Sequence, residues 1–303
     1  MTDFGAHPQA RPGAGRRVLV TGAAGKIGRA ACPGLAARGW RVRGLDRVPL
    51  DGVEGLADPP VVAELGDAAA LEQASTGMDA VVHLAGLAGE APFEEILDAN
   101  IVGTYQVFEA ARRAGVRRVV YASSNHAVGF TPRSELAGVD LPPRPDTYYG
   151  VSKVFGEALG RLYVDRYGLE VVCLRIGSWE DRPTTPRHLS TWLSPADGVR
   201  LLHAALSAPD VGFCIVYGIS ANTRAWWDLA PARALGYLSV DDAEDYAEEI
   251  LAEHGEPDPA DPEQAYVGGD FTGPEYDVAG RAAPHPAGST AAGGAPGTGG
   301  ASR

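Results

Sequence analysis

Lysine is almost missing from this chain. Two occur, Lys26 and Lys153, and the other 24 of its 26 basic residues are arginine. Cysteine is scarce too: Cys32, Cys173 and Cys214 stand far apart, with no Cys-x-x-Cys pair and no Cys/His cluster. That argues against a disulfide scaffold or a thiolate metal site, and it fits reduced thiols in a cytoplasmic protein. No run of about 18 apolar residues exists and the first residues form no apolar leader, so neither a membrane span nor a secretory signal is expected. Positive charge is outnumbered, at a net −13, which disfavours nucleic acid and anionic membrane as partners. Large apolar residues are nearly absent from 1–15 and from 273 onward, where Ala, Gly, Pro and Ser dominate. Such stretches cannot offset their ordering entropy by burial, so 1–15 and 273–303 are expected to be disordered tails around one domain at 16–272.

Within that domain, short β-branched apolar runs alternate with helical patterns. Strands are expected at 17–21, 41–45, 61–65, 80–84, 118–122, 170–174 and 213–216. Helices are expected at 26–38, despite the awkward Pro33, and at 92–114 and 147–167. Such alternation implies βαβ units, hence an α/β fold with a doubly wound parallel sheet covered on both faces. After Arg175 the regularity fades. Residues 178–194 and 218–272, rich in Pro, Trp and Asp, are expected to form a small C-terminal substrate-binding region beside the sheet.

Both lysines fall inside motifs. Lys26 belongs to the turn Thr21-Gly22-Ala23-Ala24-Gly25-Lys26-Ile27-Gly28, between an expected strand and an expected helix. In that context glycines let the backbone approach a pyrophosphate, and the helix N-terminus favours its charge. Asp46 closes the second strand, where a carboxylate accepts from a ribose 2′-hydroxyl and repels a 2′-phosphate, so NAD is expected over NADP. Asp67, after the third strand, is placed to reach the adenine amine. Leu84-Ala85-Gly86 ends the fourth strand with small residues that leave room for the cofactor. His83 reads as a packed structural histidine, since no metal-ligand cluster accompanies it.

Lys153 follows Tyr149 by four residues, so the two share a helix face. Tyr149 reads as the base for a hydroxyl proton, with Lys153 lowering the phenol's pKa from its ordinary value of about 10. Ser124, at the end of the fifth strand, reads as the donor that holds the reacting oxygen.

TGAAGKIG, Asp46, HLAG, YASS and YGVSK together resemble the extended short-chain dehydrogenase/reductase superfamily, whose fold is Rossmann-type. SSNHAVG (123–129), YGVSKVFGE (149–157), RIGS (175–178), RHLSTW (187–192) and YGISAN followed by WWD (217–228) resemble the uronate dehydrogenases more narrowly. The likeness spans roughly 17–272. It implies NAD-dependent oxidation of a cyclic hexuronate, such as glucuronate or galacturonate, at C1 to the aldarolactone. By position it implies catalytic roles for Tyr149, Lys153 and Ser124, with Asn100 ordering a water near the lysine. It implies that Asn125, His126 and Ser178 hold sugar hydroxyls, that Arg187 clamps the carboxylate, that Phe271 caps the pocket, and that Ile176 joins the cofactor wall. Ala88 departs from the family, which tends to place a serine there.

Three alternatives stay open at this level. One is another sugar or sugar-acid dehydrogenase. A second is a nucleotide-sugar epimerase or dehydratase, against which the short C-terminal region argues. A third is a non-catalytic NAD-sensing protein, which would need neither Tyr149 nor Lys153. Trp192, Trp226 and Trp227 read as packing residues, and the helices at 92–114 and 147–167 offer faces for a homo-oligomer.

Overall fold

Odd and even residues along the strands divide the interior in two. Val18, Val20, Val82, Val120, Val172 and Leu174 pack on one side with Ala31, Leu35, Leu201 and Leu202. Leu19, Val81, Val119, Tyr121 and Val171 face the other, against Leu71, Val107, Phe108 and Tyr163. Strands buried on both faces are what near-continuous apolar runs predict, because successive side chains point to opposite sides.

This architecture comes from a computed structural model that describes residues 15–133, 136–258 and 261–276. Most of both expected tails lies outside the described residues. The elements run β1 (Arg17–Thr21), α1 (Lys26–Ala36), β2 (Arg41–Asp46), β3 (Val61–Val62), α2 (Ala68–Ser75), β4 (Ala80–His83), α3 (Phe93–Ile96), α4 (Gly103–Arg113), β5 (Arg118–Ser124) and α5 (Tyr148–Tyr167). They continue through β6 (Glu170–Ile176), β7 (Ser178–Trp179), α6 (His188–Thr191), β8 (Trp192–Leu193), α7 (Pro195–Ser207), β9 (Phe213–Gly218), α8 (Ala230–Ala234), α9 (Ala247–His254) and α10 (Pro262–Ala265). Seven strands form one parallel sheet in the order β3-β2-β1-β4-β5-β6-β9. The order reverses between β1 and β4, so a crevice opens there beyond the carboxyl ends of the strands. The expected α/β, doubly wound Rossmann-type fold is the one observed.

Several boundaries move. β3 is two residues long where five were expected, while β5, β6 and β9 each run two residues further. The expected helix at 92–114 is three pieces, with a π-helical stretch at Leu97–Val102 between α3 and α4. Two of the helices outside the expected ranges, α2 and α7, flank the sheet. α2 is short and alanine-rich and is started by Asp67, whose carboxylate accepts from Ala70 N at 3.0 Å. α7 opens on Ser194, whose hydroxyl accepts from Asp197 N, with Pro195 next, a legible start signal.

The C-terminal region packs as two satellite clusters. Trp226, Trp227, Tyr217 and Val128 form one, and Leu189, Trp192, Ala243 and Ile250 the other. The three tryptophans pack in these clusters, and Trp227 also lines the cavity beside Arg187. Among the described residues no helix is long and apolar enough to cross a membrane.

Candidate active site

The turn between β1 and α1 packs too closely for side chains. Gly22 has φ +71°, and a Cβ there would stand 2.7 Å from Ala85 N. One on Gly28 would stand 2.3 Å from the Gly22 carbonyl oxygen. Glycine is therefore required on steric grounds at both positions. α1 begins at Gly25 with no side-chain cap and no acidic residue in its first turn, so its leading N–H groups are left for an anion. Asp46 reaches this turn. Its carboxylate accepts from Ala24 N at 3.0 Å and Val48 N at 3.3 Å, which fixes it at the rim with acceptor capacity to spare. Leu84 and Ala85 line the same crevice half-buried, beside the half-buried Ile27, and Ile176 ends the neighbouring β6. These residues fit a dinucleotide, because the glycine cradle and uncapped helix suit its pyrophosphate and Asp46 its ribose.

Two expected cofactor residues carry other duties. Asp67 is exposed and spends one oxygen capping α2. Lys26 forms an ion pair with Glu180 across the crevice. His83 is the structural residue expected, held between Thr21 Oγ1 at 2.9 Å and Thr104 Oγ1 at 3.1 Å. Burial pushes its pKa down to about 3.

Tyr149 and Lys153 are both buried, one turn apart on α5. Thr147 caps the helix by accepting from Gly150 N at 3.0 Å. The Glu90 carboxylate takes the next two donors, Tyr148 N at 3.1 Å and Tyr149 N at 2.7 Å. Lys153 Nζ donates to the Ala122 carbonyl at 2.9 Å and stands 5.1 Å from the centre of the Tyr149 ring. Here the sequence reading is corrected. Burial pushes the Tyr149 phenol up to about 12. The Ser124 hydroxyl pulls it partly back and Asp146 adds a further rise. Burial likewise pushes the Lys153 ammonium down to about 8. Desolvation thus dominates at both groups.

Asn100 lies in the π-helical stretch and is buried. Its amide accepts from Leu87 N at 2.7 Å and donates to Leu87 O at 3.0 Å and to Ser152 Oγ at 3.1 Å. Those bonds tie the loop after β4 to α5. Ala88 sits exposed in that loop, between the anchors at Leu87 and Glu90.

Beside Tyr149 lies a cavity of about 240 Å³ walled by Asn125, His126, Ser178, Arg187, His188 and Phe271 among others. His126 meets Tyr149 edge-on, ring centres 5.7 Å apart, and stacks on Phe271 at 4.1 Å. Its Nδ1 bonds Asp146 at 2.7 Å, and a carboxylate only accepts, so Nδ1 carries a proton and Nε2 of the neutral ring is an acceptor. Asn125 donates to Val267 O at 3.1 Å, and the Ser178 hydroxyl pairs with Thr191 Oγ1 at 2.8 Å.

Arg187 is buried without an acidic side chain bonded to it. Nη1 donates to Glu263 O at 3.0 Å and Nη2 to Val267 O, so among the described residues three of the guanidinium's five N–H groups have no protein acceptor. Burial lowers its pKa to about 10, which still leaves it charged at neutral pH. Gly269, at φ +66°, permits this placement. A Cβ there would stand 2.6 Å from Arg187 Cζ.

The structure thus gathers Ser124, Asn125, His126, Tyr149, Lys153, Ser178, Arg187 and Phe271 at one end of the crevice and the glycine turn at the other. Sequence reasoning missed Asp146, Glu90 and His188. Asp146 and Glu90 work through partners 20 and 58 residues away, which no local pattern reveals. His188 adjoins Arg187 inside RHLSTW and was open to notice.

Comparison with known proteins agrees with this geometry. Residues 18–212 match the NAD dependent epimerase/dehydratase family. A uronate dehydrogenase of Pseudomonas syringae pv. tomato is 43% identical over 257 residues, which cover 84% of this chain and 92% of that protein. A crystal structure of uronate dehydrogenase from Agrobacterium tumefaciens, a mutant complexed with NAD, superposes with a TM-score of 0.80 at 44% identity and covers 85% and 97% of the two chains. The glucuronic acid dehydrogenase of Chromohalobacter salexigens superposes with a TM-score of 0.80 at 43% identity, covering 85% and 96%.

Proposed function

We propose, from the premise that this chain belongs to the uronate dehydrogenase family within the NAD dependent epimerases and dehydratases, that it oxidises a cyclic hexuronate at C1 to the aldarolactone. The observation that carries the reading is Arg187, a buried cation with three uncommitted donors, in the wall of a cavity whose His126 abuts Tyr149. A planar guanidinium matches a carboxylate oxygen for oxygen, and a buried charge of this kind calls for an anion.

Bound NAD would supply the hydride acceptor and would be held by Gly22, Ala24, Gly25, Ile27, Gly28 and Asp46, with Leu84, Ala85, Gly86 and Ile176 along its path. Tyr149, as the phenolate, takes the proton of the C1 hydroxyl while the C1 hydride would pass to NAD, so that carbon ends as the lactone carbonyl. Ser124 holds the reacting oxygen and pulls the phenol's pKa down. Lys153, charged at neutral pH, is the cation beside that phenolate. Two charges of opposite sign attract strongly in an enclosed site, so a pair that is costly to ionise singly is less costly to ionise together. His126, by its Nε2 acceptor, takes a ring hydroxyl proton into a hydrogen bond. Asn125 and Ser178 complete the hydroxyl contacts, and Phe271 closes the cavity over His126. Asn100 acts by holding Leu87 and Ser152 rather than by touching substrate. The free cysteines Cys32, Cys173 and Cys214 are compatible with a reducing, cytoplasmic setting.

A Tyr149→Phe variant tests the chemistry. General acid–base groups contribute about 10²- to 10⁴-fold, so NADH formation should fall by that much while NAD affinity holds. Turnover within threefold of the unaltered chain would overturn the role of Tyr149.

A further inference from the structure

His188 lies next to Arg187 in the chain and in the wall of the same cavity. Its Nδ1 receives the backbone N–H of Thr184 at 3.1 Å. A backbone N–H only donates, so Nδ1 must be the unprotonated nitrogen of a neutral ring. The proton then sits on Nε2, which has no protein acceptor among the described residues. The cavity therefore presents two imidazoles of opposite polarity. In its neutral form His126 is fixed by Asp146 as an Nε2 acceptor, and His188 is fixed by Thr184 as an Nε2–H donor. We infer that His188 is a specificity-determining residue whose Nε2–H donates to the sugar carboxylate held by Arg187. This inference rests on the uronate reading above.

The chemistry favours a carboxylate over a hydroxyl as its acceptor. Arg187 fixes the anionic end of the ligand beside His188, and a carboxylate offers about four lone-pair sites, more than one guanidinium fork consumes. Burial holds the His188 imidazolium below its ordinary range, so the ring is a neutral donor at neutral pH and keeps the tautomer that Thr184 imposes. It adds a directed N–H without a second buried charge beside Arg187.

Three variants separate a substrate contact from a structural brace. His188→Asn keeps an acceptor near the Nδ1 position for Thr184 but has no group at Nε2. His188→Gln carries an amide donor near the Nε2 position. His188→Leu removes both. Steady-state kinetics with D-glucuronate and D-galacturonate should show KM raised about 10- to 100-fold in His188→Leu and His188→Asn, the loss of one hydrogen bond to a charged group. His188→Gln should recover most of that loss, and NAD affinity, read by fluorescence titration, should match in all three. The inference is overturned if KM stays within threefold in His188→Leu, or if His188→Asn restores KM where His188→Gln does not. If the unaltered chain oxidises neither uronate, the underlying reading fails first and this one falls with it.

Discussion

Replacing Arg187 with methionine should separate substrate binding from cofactor binding. The guanidinium makes two bonds to carbonyls and has three N–H groups left for a ligand. Truncating one partner of a buried charge pair costs about 2–5 kcal/mol, so KM for a uronate should rise roughly 30- to 5,000-fold. The structural part of the loss is small by comparison. Val267 O keeps a donor in Asn125, and methionine retains much of the apolar stem beside Trp226. Arg187→Lys keeps the charge without the fork and should recover only part of the loss. The assay is steady-state NADH formation across substrate concentration, with NAD affinity by fluorescence titration as the control. A KM within threefold of the unaltered chain would refute the clamp. So would equal loss of NAD affinity, which would mean that Arg187 holds the fold rather than the sugar acid.

Lys153 should make the protein less stable than it would otherwise be. Its folded pKa of about 8 lies below its ordinary 10.5, so between these values the unfolded chain binds the extra proton. Stability contributed by this group should therefore rise with pH from about 8 to 10.5. Tyr149, shifted from 10.0 up to about 12, should reverse that trend above pH 10. A Lys153→Met variant should melt higher at pH 7, lose the rise between pH 8 and 10.5, and lose turnover; an unchanged pH profile by thermal denaturation would contradict the assignment. Asp46→Ala should erode the preference for NAD over NADP in a binding titration, and tighter NADP binding by the unaltered chain would contradict the role given to Asp46. Glu157→Ala should cost roughly 3–5 kcal/mol by chemical denaturation, because it strands Arg175, now paired through two contacts of 2.9 Å inside the protein. A loss below about 1 kcal/mol would mean that water reaches Arg175.

How far this reach could be read from the chain depended on how local each cause was. The glycine turn, Asp46 and the Tyr149/Lys153 spacing are local patterns with steric or chemical reasons, and each stands where its spacing implies. The π stretch at Leu97–Val102 is not local. It shifts the register of the long helix, and Asn100 within it grips Leu87. The pKa of Tyr149 was misjudged for a similar reason. Spacing shows that an ammonium is near, but only the packed fold shows how much water both groups lose. Likewise Glu90 caps α5 from 58 residues away, and the Arg175–Glu157 pair that also receives Ser123 Oγ at 2.6 Å forms only once β5, β6 and α5 meet. α7 was a missed reading rather than an illegible one, since Ser194 and Pro195 announce it.

The most direct test mixes the purified protein with NAD and D-glucuronate or D-galacturonate and follows absorbance at the NADH band. Prompt NADH formation with at least one of them, lost in Tyr149→Phe, is the predicted result. Clear NAD binding with no NADH from either sugar acid would contradict the uronate reading and move it to a different sugar acid, with Ala88→Ser the first change to make.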